Sequence, residues 1–121
     1  MNSQIQSTLA AAARAERVIP LDHPALAGHF PDNPIVPGVV LLAAVVAVIT
    51  ASLLPDSRLD SVANCKFTAM VRPAEQFIIE AVVDSDADSV NAAPTSRRVR
   101  FTIQGLNASI ANGTLNFALD K

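Results

Sequence analysis

Residues 39–54 contain no charged side chain, and a proline-rich loop, GHFPDNPIVPG at residues 28–38, leads directly into them. Pro37 and Gly38 are typical of a helix start, because proline already has a helical φ and lacks an N–H that the first turn would leave unsatisfied. The run therefore predicts one apolar helix of about sixteen residues. A helix that is apolar on every side is expected to be buried on every side, as when a sheet wraps around it.

The alternative for this stretch is a membrane span, since residues 35–54 are as long as the roughly 20 residues that a span requires. Pro37 and Gly38 shorten the helix below that length, and no Lys or Arg flanks it closely. The chain also has no Trp or Tyr to form an interfacial belt. We therefore expect a core helix and no membrane association.

Downstream of residues 54–57, which predict a stop and a turn, apolar and polar residues alternate with the period of two typical of half-buried strands. The predicted strands are residues 61–67, 76–83, 97–104 and 109–119. Residues 84–95 predict a loop, and residues 105–107 a tight turn that joins the last two strands as a hairpin. Residues 9–19 favour a helix by propensity but a first strand by position. The expected class is α+β, with one helix packed on one antiparallel sheet.

Length, composition and charge limit the kinds of function that this chain can have. With 121 residues, of which 50% are hydrophobic, the chain is expected to be a single domain over residues 1–121, small enough that a site shared between two subunits is expected. The net charge of −2 gives no reason to expect a nucleic-acid partner. Cys65, the single cysteine, predicts a buried small hydrophobe rather than a disulfide. The first residues do not read as a secretory signal, so we expect a cytoplasmic protein.

Two blocks of the sequence resemble the β-hydroxyacyl-acyl-carrier-protein dehydratases of the hotdog fold, including the branch that serves polyene pigments. The first block is GHFPDNPIVPGVVLL, at residues 28–42. The second comprises Lys66 and Phe67 followed by RPAEQF at residues 72–77, with Ala74 and Glu75 where the family has Gly and Asp. The resemblance implies a central helix wrapped by an antiparallel sheet, and it decides residues 9–19 in favour of a strand.

The resemblance also implies a reaction, the dehydration of 3-hydroxyacyl thioesters to trans-2-enoyl thioesters in fatty-acid, polyene or polyketide-like synthesis. It makes His29 the catalytic base, whereas the residues alone also allow a loop histidine that binds a backbone carbonyl. The N–H groups of Gly38 and Val39 become the donors for the thioester oxygen, and Phe30 closes the loop over the site. No cofactor or metal is expected, because the substrate is carried on the phosphopantetheine of an acyl carrier protein. Lys66 and Arg72 are the expected contacts with that carrier protein.

One departure from the family concerns the general acid. The family's acidic partner lies fourteen positions after the histidine, where this chain has Ala43, and no acid occurs from Pro34 to Pro55. If this chain acts without a partner's acid, the proton for the leaving hydroxyl comes from His29 itself, from water, or from one of the candidate acids Asp32 and Asp22, which are otherwise ordinary turn residues.

Three functions follow from this departure. The first is a dehydratase, and the second is a non-catalytic or half-site subunit whose heterodimer partner carries the acid. The third, a hotdog thioesterase, is disfavoured because such enzymes direct water with a polar group on the helix, and nothing polar appears before Thr50. A homodimer or a heterodimer with a related hotdog subunit is expected in the first two cases.

Overall fold

The computed structural model describes residues 12–26, 35–84 and 96–119. These residues form one α-helix and five strands, in the α+β arrangement expected from the sequence. In chain order the elements are β1 (Ala12–Val18), a single 3₁₀ turn (Pro24–Leu26), α1 (Gly38–Ser52), β2 (Ser57–Phe67), β3 (Gln76–Val83), β4 (Ser96–Gln104) and β5 (Ser109–Leu119).

The five strands form one sheet in the order β1-β3-β4-β5-β2, and every neighbouring pair is antiparallel. The predicted hairpin between β4 and β5 is confirmed, with the Gly105 N–H donating to the Ala108 carbonyl at 2.8 Å. Strands β1 and β2 lie at the two edges. The connection from β2 to β3 must therefore pass across one end of the sheet.

The core lies between α1 and one face of the sheet. In β4 the alternating residues Val99, Phe101 and Ile103 are at most 2% exposed, while Arg98 and Arg100, which alternate with them, face water. The side chains of α1 that join this core are Val40, Leu41, Val45, Val48 and Ile49. Period-two alternation therefore predicted correctly which side of β4 is buried.

Strand boundaries agree with the sequence prediction except at one edge. The bounds predicted for β3 and β5 are confirmed, β4 begins one residue earlier, and the ambiguous first segment is a strand over the residues described. β2 begins at Ser57 rather than at residue 61, inside the predicted turn. The reason is that β2 is an edge strand with two register shifts against β5, so most of its side chains are exposed and no clean alternation marks its start.

The expectation that α1 is buried on all sides was wrong. Val39 is 73% exposed, and Ala43, Ala47 and Ala51 continue an exposed stripe at every fourth residue. We call these four residues the open stripe. The sheet covers only one side of the helix, so apolar composition alone did not determine burial.

Two further expectations are refined by the structure. Cys65 is half-buried rather than buried, and it packs against the edge of the core. The helix α1 has 15 residues, and no helix among residues 12–26, 35–84 and 96–119 is long and apolar enough to cross a membrane.

Candidate active site

The connection from β2 to β3, residues 68–75, is the element that organises the end of the sheet nearest the helix start. We call it the crossing segment. It is fixed at its beginning by Thr68, whose N–H donates to the Ile110 carbonyl at 2.8 Å and whose Oγ1 donates to the Ser109 carbonyl at 2.9 Å. These bonds hold the end of β2 against the start of β5.

The crossing segment then binds the two described chain segments on either side of residues 27–34. The Val36 N–H donates to the Val71 carbonyl at 2.8 Å, and Val71 is only 2% exposed. The Ala74 N–H donates to the Ile19 carbonyl at 2.8 Å. The segment before the helix and the segment after β1 are thereby fixed to one scaffold.

The first turn of α1 presents two N–H donors. Pro37 is the N-cap residue, with φ −61° and ψ 147°, and its carbonyl accepts from the N–H groups of Val40 at 3.0 Å and Leu41 at 3.3 Å. The residues that the structure describes supply no acceptor for the N–H groups of Gly38 and Val39. Free amides at a helix start carry partial positive charge, so they can stabilise an oxyanion.

The ring of Phe67 lies directly against Gly38. A Cβ on Gly38 would be 3.0 Å from Cζ and 3.1 Å from Cε2 of that ring, so any other residue here would have to shift the ring. Phe67 is 45% exposed at the end of β2. The sequence marked Phe67 only as part of a motif, and its contact with the helix start follows from sheet topology, which brings β2 back beside α1.

The remaining predicted site residues are Asp22, which the structure describes, and three that it does not. Asp22 is exposed in the turn after β1, and the adjacent His23 is half-buried. The backbone N–H of His23 donates to the Pro20 carbonyl at 3.1 Å. Asp22 and His23 lie a few residues beyond Ile19, on the segment that the crossing segment holds. The other three, His29, Phe30 and Asp32, lie outside the described residues.

The two expected carrier contacts lie in different surroundings. Arg72 is exposed on the crossing segment, where its N–H donates to Oε1 of Glu75 at 3.1 Å. Lys66 is exposed on β2 and pairs with Asn112, whereas Phe67 pairs with the buried Ala111. Because neighbouring strand residues point to opposite faces, Lys66 is on the face of the sheet that points away from α1.

Cys65 shares the helix-facing side of β2 with Phe67. Burial raises the pKa of the Cys65 thiol, because desolvation disfavours the thiolate. A protonated thiol is a weak nucleophile, so this residue is not suited to covalent catalysis. Among the described residues, the chemistry available at this end is therefore that of the helix-start amides.

Comparison with known proteins identifies the family. The family model of the ApeI-like dehydratases, described as ApeI dehydratase, matches residues 4–113, which is most of the chain. The chain belongs to the ApeI-like dehydratase family. This confirms the resemblance on which the site residues were chosen.

Curated relatives point to the same broad group. The chain is 32% identical over 71 residues to the 3-hydroxyacyl-[acyl-carrier-protein] dehydratase FabZ of Thermoanaerobacter sp.. That match covers 53% of this chain and 50% of that protein. It is 30% identical over 80 residues to the FabZ of Rickettsia akari, with coverages of 60% and 55%. This ApeI-like chain thus spans about half the length of the curated relatives it matches.

Solved structures confirm the hotdog fold. The dehydratase heterocomplex ApeI:P from Xenorhabdus doucetiae matches with a TM-score of 0.66 and 18% identity, covering 88% of this chain and 87% of that one. An uncharacterised protein from Erwinia carotovora matches with a TM-score of 0.71 and 18% identity, and the match covers 92% of this chain and 86% of that one. A mutant of the fluoroacetyl-CoA-specific thioesterase FlK matches with a TM-score of 0.62 and 15% identity, and the match covers 91% of this chain and 92% of that one. At these identities the likeness concerns the fold of the ApeI-like chain and not its reaction.

Proposed function

We propose that this protein dehydrates 3-hydroxyacyl thioesters, carried on an acyl carrier protein, to trans-2-enoyl thioesters. The observation that carries the proposal is the pair of amides at Gly38 and Val39, which open a charge-free helix directly after the loop that contains His29. In the proposed mechanism His29 is the base and these two amides are the oxyanion donors that the reaction needs.

In this mechanism neutral His29 removes a proton from the α-carbon of the thioester. The electron pair of the broken C–H bond shifts onto the thioester oxygen, where the Gly38 and Val39 amides stabilise the developing charge. As the double bond forms, the bond from the β-carbon to its hydroxyl breaks, and the hydroxyl leaves as water after gaining one proton.

The source of that proton is the open chemical question. His29 acquires a proton in the first step and can return it to the hydroxyl, so one imidazole can serve in both roles. The alternatives are a water molecule or a carboxyl group of Asp22 or Asp32. Asp22→Asn and Asp32→Asn separate these routes: a folded variant without activity identifies its aspartate as the acid, and full activity in both leaves His29 or water.

The proposal includes two kinds of protein partner. We propose that Arg72 and Lys66 contact the acidic carrier protein and its phosphopantetheine phosphate, and that the chain itself needs no further cofactor. We also propose a dimer, because the edge of β2 is unpaired among the described residues and the open stripe of α1 exposes apolar surface. Val62 and Phe67 add exposed apolar surface on β2.

A second candidate function is that of a half-site subunit in a heterodimer. It is favoured by Ala43, which leaves the helix without the family's acid, and by the described heterocomplex of the Xenorhabdus neighbour. In this case the partner would supply the acid while this chain supplied a shell or His29. A thioesterase activity has only fold likeness to FlK in its favour.

The test is turnover by the purified protein alone on 3-hydroxyacyl carrier thioesters, followed by mass spectrometry of the carrier. Loss of one water with the thioester intact supports the dehydratase. Activity that appears only after a related hotdog subunit is added supports the half-site function. Release of free carrier thiol without enoyl product contradicts both and indicates a thioesterase.

A further inference from the structure

The contact between Phe67 and Gly38 has a direction that bears on the substrate. Three ring carbons of Phe67 lie 3.0–3.4 Å from the position that a Cβ on Gly38 would occupy. In an α-helix the Cα–Cβ bond leans toward the N-terminus, and the free N–H groups of the first turn point the same way. The ring therefore stands beside the mouth of α1, on the side from which a ligand would approach these amides.

The ring is also held there. Phe67 is the last residue of β2, and the next residue, Thr68, is bound to β5 by its N–H and by its hydroxyl. The backbone at this point is therefore fixed at the edge of the sheet. A phenylalanine side chain has only two torsions, so a fixed backbone leaves its ring few other positions.

An acyl group bound at these amides would bring its α-carbon close to the ring. The α-carbon of a thioester lies only about 2.4 Å from the carbonyl oxygen, as standard bond lengths require. If that oxygen accepts from the Gly38 or Val39 N–H, the substituents of the α-carbon share a small volume with the Phe67 ring. A flat aromatic face suits an α-carbon that becomes planar as its proton leaves, whereas a branch on that carbon would compete with the ring for the same volume.

We propose that Phe67 is a specificity-determining residue that restricts the substrate to acyl chains without a branch at the α-carbon. This inference rests on the proposed dehydratase function and names the substrate class for it. Gly38 allows the ring to take this position, because any side chain there would displace it.

The experiment compares two carrier thioesters of equal chain length, an unbranched 3-hydroxyacyl group and its 2-methyl analogue. The wild-type protein should favour the unbranched substrate in kcat/KM by about 10- to 200-fold, the usual discrimination of one methyl group. In Phe67→Ala that ratio should fall at least about tenfold, and in Phe67→Leu by less. The control Leu106→Ala removes an 86% exposed apolar side chain from the β4–β5 turn and should keep the wild-type ratio.

A ratio unchanged in Phe67→Ala, or a wild-type protein that accepts both substrates equally, would overturn the inference. A wild-type protein that dehydrates neither substrate would show that the proposed function itself has failed. The contact is checked without turnover by urea unfolding of Gly38→Ala with and without Phe67→Ala. We expect Gly38→Ala to destabilise the wild type and not the Phe67→Ala protein, because alanine otherwise favours a helix more than glycine. Equal effects in the two backgrounds would overturn the inference on structural grounds.

Discussion

The two sides of α1 have similar hydropathy but opposite surroundings. Val40, Leu41, Val45, Val48 and Ile49 are at most 8% exposed and form the centre of the core. The open stripe on the other side begins with a 73% exposed valine and continues with three exposed alanines. The buried side has the large side chains and the open stripe has mostly small ones, so size separates the two sides where hydropathy does not.

The position of Ala43 gives this comparison a functional meaning. Ala43 lies one helical turn after Val39, on the same side of α1. A carboxylate at this position would stand on the open stripe one turn from the helix-start amides. The core side of α1 therefore holds the fold, and the open stripe is where an acid at position 43 would be presented.

The largest expected difference between the two sides is in stability. Leu41→Ala removes a 2% exposed side chain and should lower the free energy of unfolding by about 2–5 kcal/mol. Val39→Ala removes carbons from the open stripe and should change the free energy of unfolding by no more than about 0.5 kcal/mol. Urea unfolding at low protein concentration measures both, and equal losses would contradict the division of α1 into two sides.

A charge on the open stripe tests what covers it. In a single chain Ala43→Glu and Ala51→Glu place an exposed carboxylate and should have little effect on stability. If a second copy of the chain covers the stripe, each variant buries its new carboxylate in an apolar interface. That burial weakens association by about 2 kcal/mol or more, or raises the pKa of the new carboxyl group. Light scattering against concentration should show that both variants dissociate more readily than the wild type. Unchanged association would mean that no second copy covers the stripe.

The same pair of variants tests the missing acid. Ala43→Glu stands near the helix start and should alter the pH profile of turnover, whereas Ala51→Glu is two turns further along α1 and should not. Turnover against pH, with the melting temperature as a check of folding, measures this. Identical profiles in the two variants would contradict the position assigned to the family's acid.

A smaller effect is expected at the turn before β3. Ala74 has φ 73°, and in the described part of the chain it is alone among non-glycine residues in having a positive φ. Ala74→Gly should raise the free energy of unfolding by about 1 kcal/mol, because glycine adopts this conformation without steric cost. The control Ala69→Gly, in the same segment but without a positive φ, should be destabilising by about 0.5–1 kcal/mol. A loss of stability in Ala74→Gly would contradict the strained turn.

The smallest effect concerns Cys65, which faces the helix side of β2. Its pKa is raised because burial disfavours the thiolate, so near pH 8 the folded protein contains less thiolate than the unfolded chain. Iodoacetamide should therefore modify Cys65 more slowly in the folded protein than in urea, and raising the pH should narrow the difference as the folded thiol ionises. Equal rates at pH 8 would show that the residue is not desolvated.

Local patterns predicted much of the fold because they act over short distances. Alternation predicted β3, β4 and β5 to within one residue, and Pro37 and Gly38 predicted where α1 starts. Tertiary relations were not predictable in this way. The open stripe, the early start of β2 and the contact of Phe67 with Gly38 depend on which side of the helix the sheet covers and on the strand order. The positive φ of Ala74 was also not predicted, because alanine by itself gives no sign of a left-handed conformation.

The central claim is that catalysis occurs in front of the helix start and depends on the histidine of the loop that precedes it. The chain has two histidines, so His23→Ala is a matched control for His29→Ala. We measure dehydration of a 3-hydroxyacyl carrier thioester by both variants, with circular dichroism to confirm folding. We expect His29→Ala to lose activity by at least about 100-fold and His23→Ala to stay within a few-fold of the wild type. A folded His29→Ala protein that retains most of its activity would contradict the central claim.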